Sequence, residues 1–329
     1  EIKQSNLCSE ITLPTNEERT AVCCLSSVNL EHFDEWSKVD TFIPDLITML
    51  DNVLQNFIDG VAGQSGYSKA AYSAMRERSV GLGAMGFHSY LQKNNIAFES
   101  MYASSFNNKA FSYIKDRASA TTRKLAEERG EAPDMKGSGK RNAHLLAIAP
   151  NASSSIICGG TSPSIEPNRA NVYTHKTLTG SFKVKNKYLD DLLLELVPSK
   201  KKRDEIWKDI AAHEGSVQHL DILSDAQKEM FKTAPEINQI WIIEHAAMRQ
   251  KYVCQSQSVN LFFKTPSIEA DQETHDVFLQ YLNDVHWAGI HKLKSLYYLR
   301  SNAARNTENV NIKIPKINLE EEGCLSCEG

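Results

Sequence analysis

The apolar residues of this chain change their spacing along its length, and that change restricts the chain to a mixed α/β fold. Short extended runs at residues 11–13 and 21–28 are separated by Pro14-Thr15-Asn16 and the charged Glu17-Glu18-Arg19. From Phe42 onward the period is helical: Phe42, Leu46, Ile47, Leu50, Val53, Leu54, Phe57 and Ile58 share one face, and Gly60 supplies a stop. A second helix is expected over residues 105–129, with Gly130 just past its end and a loop over 131–141. The apolar run 145–149 ends at Pro150 and reads as a strand feeding a small polar loop. Residues 199–233 are charged and helical, with Asp221 and Ser224 as caps, and 237–253 form an amphipathic helix. Residues 255–263 are β-like, and a last helix over 270–291 leads into Leu296-Tyr297-Tyr298-Leu299. No clean linker interrupts this alternation before the polar tail. Its order fits half of a closed barrel at least as well as a complete open sheet.

With 329 residues, 41% of them apolar, the chain can bury a substantial core. Lys+Arg 37 against Asp+Glu 41 gives a formal charge of -4, which argues against a nucleic-acid-binding surface and leaves small nucleotides as the nucleotides to consider. No apolar run approaches the roughly 18–20 residues needed to cross a bilayer, and no secretory leader opens the chain, so a cytoplasmic location is expected. Seven cysteines, an odd number spread widely, do not form the framework of a small secreted domain. Clustered cysteines in a reducing compartment point instead to redox or metal chemistry. The chain opens on Glu1 rather than Met, as expected of a segment of a larger protein.

Four groups of residues carry candidate chemistry. Asn6, Cys8 and Glu10 alternate, so in an extended segment an amide, a thiol and a carboxylate share one face. That set suits substrate orientation, reaction at sulfur and proton transfer, although a surface strand alternates in the same way. Asn151, Ser153, Ser154 and Ser155 follow a strand with hydroxyl and N–H groups suited to a phosphate; a plain Ser-rich loop has the same composition. Tyr297 and Tyr298 are an adjacent aromatic pair, equally compatible with core packing. Cys324 and Cys327 form a C-x-x-C in an acidic tail, with no nearby ligands to complete a zinc site, which leaves a mobile dithiol able to exchange with an internal disulfide. Gly81-Leu82-Gly83-Ala84-Met85-Gly86 satisfies G-x-G-x-x-G but follows no buried strand, so close helix packing is expected there rather than a dinucleotide. The histidines show no ligand spacing, and no metal site is expected. Cys24, Cys158 and Cys254 read as buried, inert thiols.

The order of these motifs resembles the catalytic C-terminal half of the class I ribonucleotide reductase large subunit. N-L-C-x-E followed by I-x-L-P-T looks like that family's finger loop, and the likeness continues through Cys23-Cys24-Leu25-Ser26-Ser27-Val28-Asn29-Leu30, through Ser164-Ile165-Glu166-Pro167, and to L-Y-Y and the tail C-x-x-C. The resemblance implies an α/β fold: the second half of a ten-stranded α/β barrel over residues 1–310, with the finger loop at 5–14, followed by a flexible redox-active tail over 311–329. It implies that Cys8 becomes a thiyl radical that abstracts the ribose 3′ hydrogen, that Glu10 takes the 3′-hydroxyl proton, and that Asn6 binds substrate. Cys23 is then one of the reducing pair, Tyr297 and Tyr298 relay the radical, and residues 151 and 153–155 hold the substrate diphosphate. Cys324 and Cys327 would be re-reduced by thioredoxin or glutaredoxin. The implied partners are an N-terminal half of the large subunit, which carries the second reducing cysteine, and a metal-containing, radical-generating small subunit. The implied substrate is a ribonucleoside diphosphate, no cofactor is bound directly, and the ATP and dNTP effector sites lie outside this chain. A non-catalytic fragment that only assembles with reductase partners, and a general thiol oxidoreductase built on the tail, are the alternatives.

Overall fold

Among the residues that the computed structural model describes, 2–177 and 180–302, five extended segments lie side by side and in parallel. Strand β1 (Cys24–Asn29) pairs with β2 (Val80–Met85), Leu82 of β2 bridges Leu146, and Ile148 bridges Gln257. The Gln257 segment runs on into β5 (Leu261–Lys264), which pairs with β6 (Leu299–Asn302). The intervening hairpin of β3 (Val172–Thr177) and β4 (Gly180–Lys185) stands apart from this array. The array does not close on itself among the described residues, as half of a barrel would not. The tail, including Cys324 and Cys327, lies outside the described residues.

Helices cross over between the strands. They are α1 (Phe33–Trp36), α2 (Phe42–Gly60), α3 (Ser68–Glu77), α4 (Phe87–Lys93), α5 (Met101–Arg129), α6 (Ala152–Ile157), α7 (Lys187–Leu196), α8 (Lys200–Ala212), α9 (Asp225–Met230), α10 (Gln239–Gln250) and α11 (Gln272–Lys292). Helix α2 keeps the expected bounds and buries Ile43, Ile47, Leu50 and Leu54. Helix α5 starts four residues before the expected 105 because Ser100 caps it, its hydroxyl accepting from the Ala103 N–H at 3.1 Å. In the 199–233 segment the caps are Ser199 for α8 and Ser224, with a capping box, for α9; Asp221 caps neither. No described helix is long and apolar enough to cross a membrane.

The G-x-G-x-x-G stretch differs from the helix-packing expectation. It is β2 itself, buried at all six positions, and a parallel strand covered on both faces shows no alternation to read. Its glycines admit neighbouring strands: a Cβ on Gly83 would lie 2.6 Å from the Ala147 carbonyl oxygen, and one on Gly81 would collide with Leu25. Most of the core gathers around this array, with Phe33 packed edge-on against Trp36, Tyr90, Phe106 and Tyr113. A smaller apolar cluster forms separately from Val172, Leu189, Leu193, Trp207, Ile210 and Val217.

Candidate active site

The segment expected as the finger loop is built around a turn, not the extended segment that the alternation of Asn6, Cys8 and Glu10 suggests. The Ser9 N–H donates to the Asn6 carbonyl at 3.0 Å, and Ser9 takes a left-handed φ of 65°. The Asn6 side-chain oxygen accepts from the Ile11 N–H at 3.0 Å and closes the turn. A turn does not keep i, i+2 and i+4 on one face, so other elements align Cys8 and Glu10. Ser258, on the fourth extended segment, places its hydroxyl against both the Cys8 carbonyl and Glu10 Oε2, the latter at 3.2 Å. The Ser256 N–H donates to the Glu10 carbonyl at 2.9 Å, and the Ser295 hydroxyl donates to the Ser9 carbonyl at 2.8 Å. Glu10 is buried and Leu7, at the tip, is exposed.

From the far end of the described chain, the Tyr297 hydroxyl reaches the Cys8 sulfur at 3.4 Å. The Tyr298 ring lies against that of Tyr297, with centroids 4.1 Å apart and planes inclined by 35°. Burial and the contact with Cys8 raise the Tyr297 phenol well above its ordinary range, so it keeps its proton at neutral pH. Tyr298 is partly exposed, its N–H donates to Asn260 Oδ1 at 3.1 Å, and the Arg300 guanidinium stands over its ring at 5.0 Å. Asn260 also donates to Glu166, whose carboxyl is pushed up to about 7 by burial.

Cys23 lies just before β1, and Gln255 holds it. The Gln255 amide donates to the Cys23 sulfur at 3.3 Å and to the Val80 carbonyl at 3.2 Å, while the Thr12 N–H donates to its side-chain oxygen at 3.3 Å. Burial pushes the Cys23 thiol up to about 12 despite that donor. Asn6 and Cys23 line one cavity of about 720 Å³, together with Ile11, Leu13 and Leu25. Cys24 packs half-buried against the main core. Cys254 accepts from the N–H groups of Leu145 and Leu146 at 3.1 and 3.3 Å. Cys158 differs from expectation: it is exposed at the end of α6, because the segment expected as a loop coils into a helix and turns this position outward.

The same coiling divides the expected phosphate-binding group. Asn151 occupies the left-handed position before α6, with its amide committed to the Ala84 and Ala149 carbonyls at 3.3 and 3.0 Å. Ser155 is buried and its hydroxyl donates to the Ala152 carbonyl at 2.9 Å, whereas Ser153 and Ser154 are exposed. Gln255 and Ser258, not singled out by sequence reasoning, tie residues 8–12 to the sheet; they lie more than 240 positions from the groups they bind in that segment, and no local pattern marks them. Asp209, His213 and His219, which no spacing in the sequence joins, also meet in space.

The profile of the family described as "Ribonucleotide reductase, barrel domain" matches residues 1–139 and 133–299. The chain belongs to the ribonucleotide reductase barrel family. The chain is 46% identical, over its whole length and 50% of the relative's, to the "Ribonucleoside-diphosphate reductase large subunit" of Invertebrate iridescent virus 3. A "Putative ribonucleoside-diphosphate reductase large subunit" of Frog virus 3 (isolate Goorha) is also 46% identical, over the whole chain and 56% of the relative. Among solved structures, the "Actinobacillus ureae class Id ribonucleotide reductase alpha subunit" matches with a TM-score of 0.79 and 41% identity, over 91% of this chain and 53% of that one. This member of the reductase family thus spans about half the length of the relatives it matches.

Proposed function

We propose that this chain supplies the catalytic centre of a ribonucleoside-diphosphate reductase large subunit, working in the cytosol with the other half of that subunit and a small subunit. The observation that carries the proposal is the contact of Tyr297 with Cys8 at 3.4 Å, with the tilted Tyr298 ring against it and exposed to solvent. Acid–base chemistry cannot make a thiyl radical; a hydrogen atom must leave the sulfur, and a phenoxyl oxygen at this distance can accept it. The metal-containing small subunit supplies the initial one-electron oxidation. Tyr298 and then Tyr297 carry it inward, and Tyr297 takes the hydrogen atom of Cys8.

The Cys8 thiyl then removes the ribose 3′ hydrogen while Glu10 accepts the 3′-hydroxyl proton, and Ser258 holds both in register. The 2′-hydroxyl leaves as water with a proton from the Cys23 thiol. Cys23 and a cysteine from the other half of the large subunit give up two electrons and form a disulfide, the hydrogen of that second thiol going to C2′ and the proton held by Glu10 returning to the 3′ oxygen. Return of the hydrogen from Cys8 to C3′ completes the deoxyribose and restores the thiyl. Asn6 orients the substrate from the shared cavity, and the start of α6, with Ser153 and Ser154, receives its diphosphate. The tail pair Cys324 and Cys327 reduces the disulfide and is recharged by thioredoxin or glutaredoxin.

The test combines this chain with an N-terminal half and small subunit from a related reductase, cytidine diphosphate and dithiothreitol, and measures the deoxynucleotide formed. Cys8→Ser and Tyr297→Phe should each reduce turnover to background with the assembly intact. Turnover surviving either substitution would overturn the mechanism.

A further inference from the structure

The smaller apolar cluster carries at its rim three side chains that the redox chemistry leaves unused. Asp209 and His213 stand one helical turn apart at the C-terminal end of α8 and share a face. The chain then turns back, burying Val217 completely, and returns His219 to the same place. His219 Nε2 lies 3.0 Å from one carboxylate oxygen of Asp209, and His213 Nδ1 lies 3.2 Å from the other. The two imidazoles face each other with centroids 3.8 Å apart and planes inclined by 24°. One ligand atom from each of the three residues falls within 4.8 Å of the others.

We propose that Asp209, His213 and His219 form a zinc-binding site. Ligand atoms at about 2.0–2.1 Å from a tetrahedral zinc are separated from one another by about 3.3 Å, close to the spacing of these nitrogens from the Asp209 oxygens. Two imidazole nitrogens and one carboxylate oxygen suit zinc and neighbouring transition ions, not magnesium or calcium, which take oxygen ligands. Ion pairing alone accounts poorly for the arrangement. Two imidazolium rings stacked on one carboxylate would repel each other, and pairs as exposed as these contribute little. Both histidines border a cavity of about 430 Å³, lined also by Arg169 and Lys264, from which water would supply the fourth ligand.

His213 Nδ1 also lies 2.9 Å from the Asp209 backbone carbonyl, so binding exchanges that hydrogen bond and its proton for a coordinate bond. The ion fastens the end of α8 to the segment that presses Val217 and Leu220 into the smaller cluster. Its role is to hold this unit together.

Cobalt, standing in for zinc, tests the site in the full 329-residue chain. One equivalent should bind with the weak visible spectrum of nitrogen and oxygen ligation, without an intense thiolate band, and zinc should displace it. His219→Ala and Asp209→Asn should each weaken cobalt at least tenfold, and zinc should raise the melting temperature by a few degrees in the unsubstituted chain alone. Absence of saturable binding, unchanged affinity in both variants, or a dominant thiolate band would overturn the proposal. If a variant loses its circular dichroism, zinc protection of His213 and His219 from diethylpyrocarbonate in the unsubstituted chain decides instead, and unprotected rings overturn the site.

Discussion

A thiol held at about 12 is a poor nucleophile and a good custodian of its proton, and Cys23 is such a thiol. At pH 8 its thiolate fraction is about a thousandfold below that of a cysteine titrating at its ordinary 9.0. Iodoacetamide should therefore modify exposed Cys158 well before Cys23, as followed by peptide mass spectrometry, and Cys23 should become reactive only as the pH approaches 12. Comparable rates at pH 8 would show that its burial has been overstated. The sign of the linkage agrees: with a folded value raised above 9.0, the stability this group contributes is complete below pH 9 and is lost as the pH rises towards 12. At this scale the sequence was legible in identities and not in geometry. Asn6, Cys8 and Glu10 stand out as residue types, but their alternation puts them on one face only in a strand, and the left-handed Ser9 bends the segment into a turn. Gln255 and Ser258 were illegible because nothing local distinguishes a polar residue that binds a partner from one that meets solvent.

Elements with a strong period and a cap could be read directly. Helices α2 and α5 end where Gly60 and Gly130 stop them, since the apolar stripe and the terminal residue agree on the same boundary. Strand β2 could not be read this way: Val80–Met85 is a run of small and apolar residues buried on both faces, and its glycines look like breakers until the neighbouring strands are in place. Gly83 offers the clearest test. Replacing glycine by alanine in a strand gains about 0.5–1 kcal/mol of backbone entropy. Here the new methyl would press on the Ala147 carbonyl oxygen at 2.6 Å, a backbone atom that cannot swing aside. Overpacking of this kind costs about 1–3 kcal/mol, so the steric cost wins. Gly83→Ala should lower the urea midpoint accordingly, and an unchanged or higher midpoint would mean that the strands separate without cost.

Across the whole molecule, one buried carboxylate ties together segments distant in the chain. Asp51 of α2 receives Arg78 at 2.9 Å, Arg141 at 2.8 Å and Arg129 at 3.0 Å, with the Asn142 amide at 3.1 Å. Burial alone would raise its pKa, but hydrogen bonds from Arg78 and Arg141 outweigh that and hold it below its ordinary 3.8. The stability it contributes is present at neutral pH and is lost as the pH falls below that value. Asp51→Ala should cost about 3–5 kcal/mol in urea unfolding, because the guanidinium groups of Arg78 and Arg141 are left buried without their counter-charge. Adding Arg78→Met should recover part of the loss, and simple additivity of the two substitutions would show that the network is not coupled.

The contact between Tyr297 and Cys8 also sets an order of events in time. The two residues are 289 positions apart, and a ribosome adding about 5–20 residues per second makes the second roughly 15–60 s after the first. Throughout that interval the finger loop is present but the tyrosine that reaches it has not been made. A nascent chain therefore carries the Cys8 sulfur without its phenol partner, and the contact can form only once the segment leading into β6 has been made.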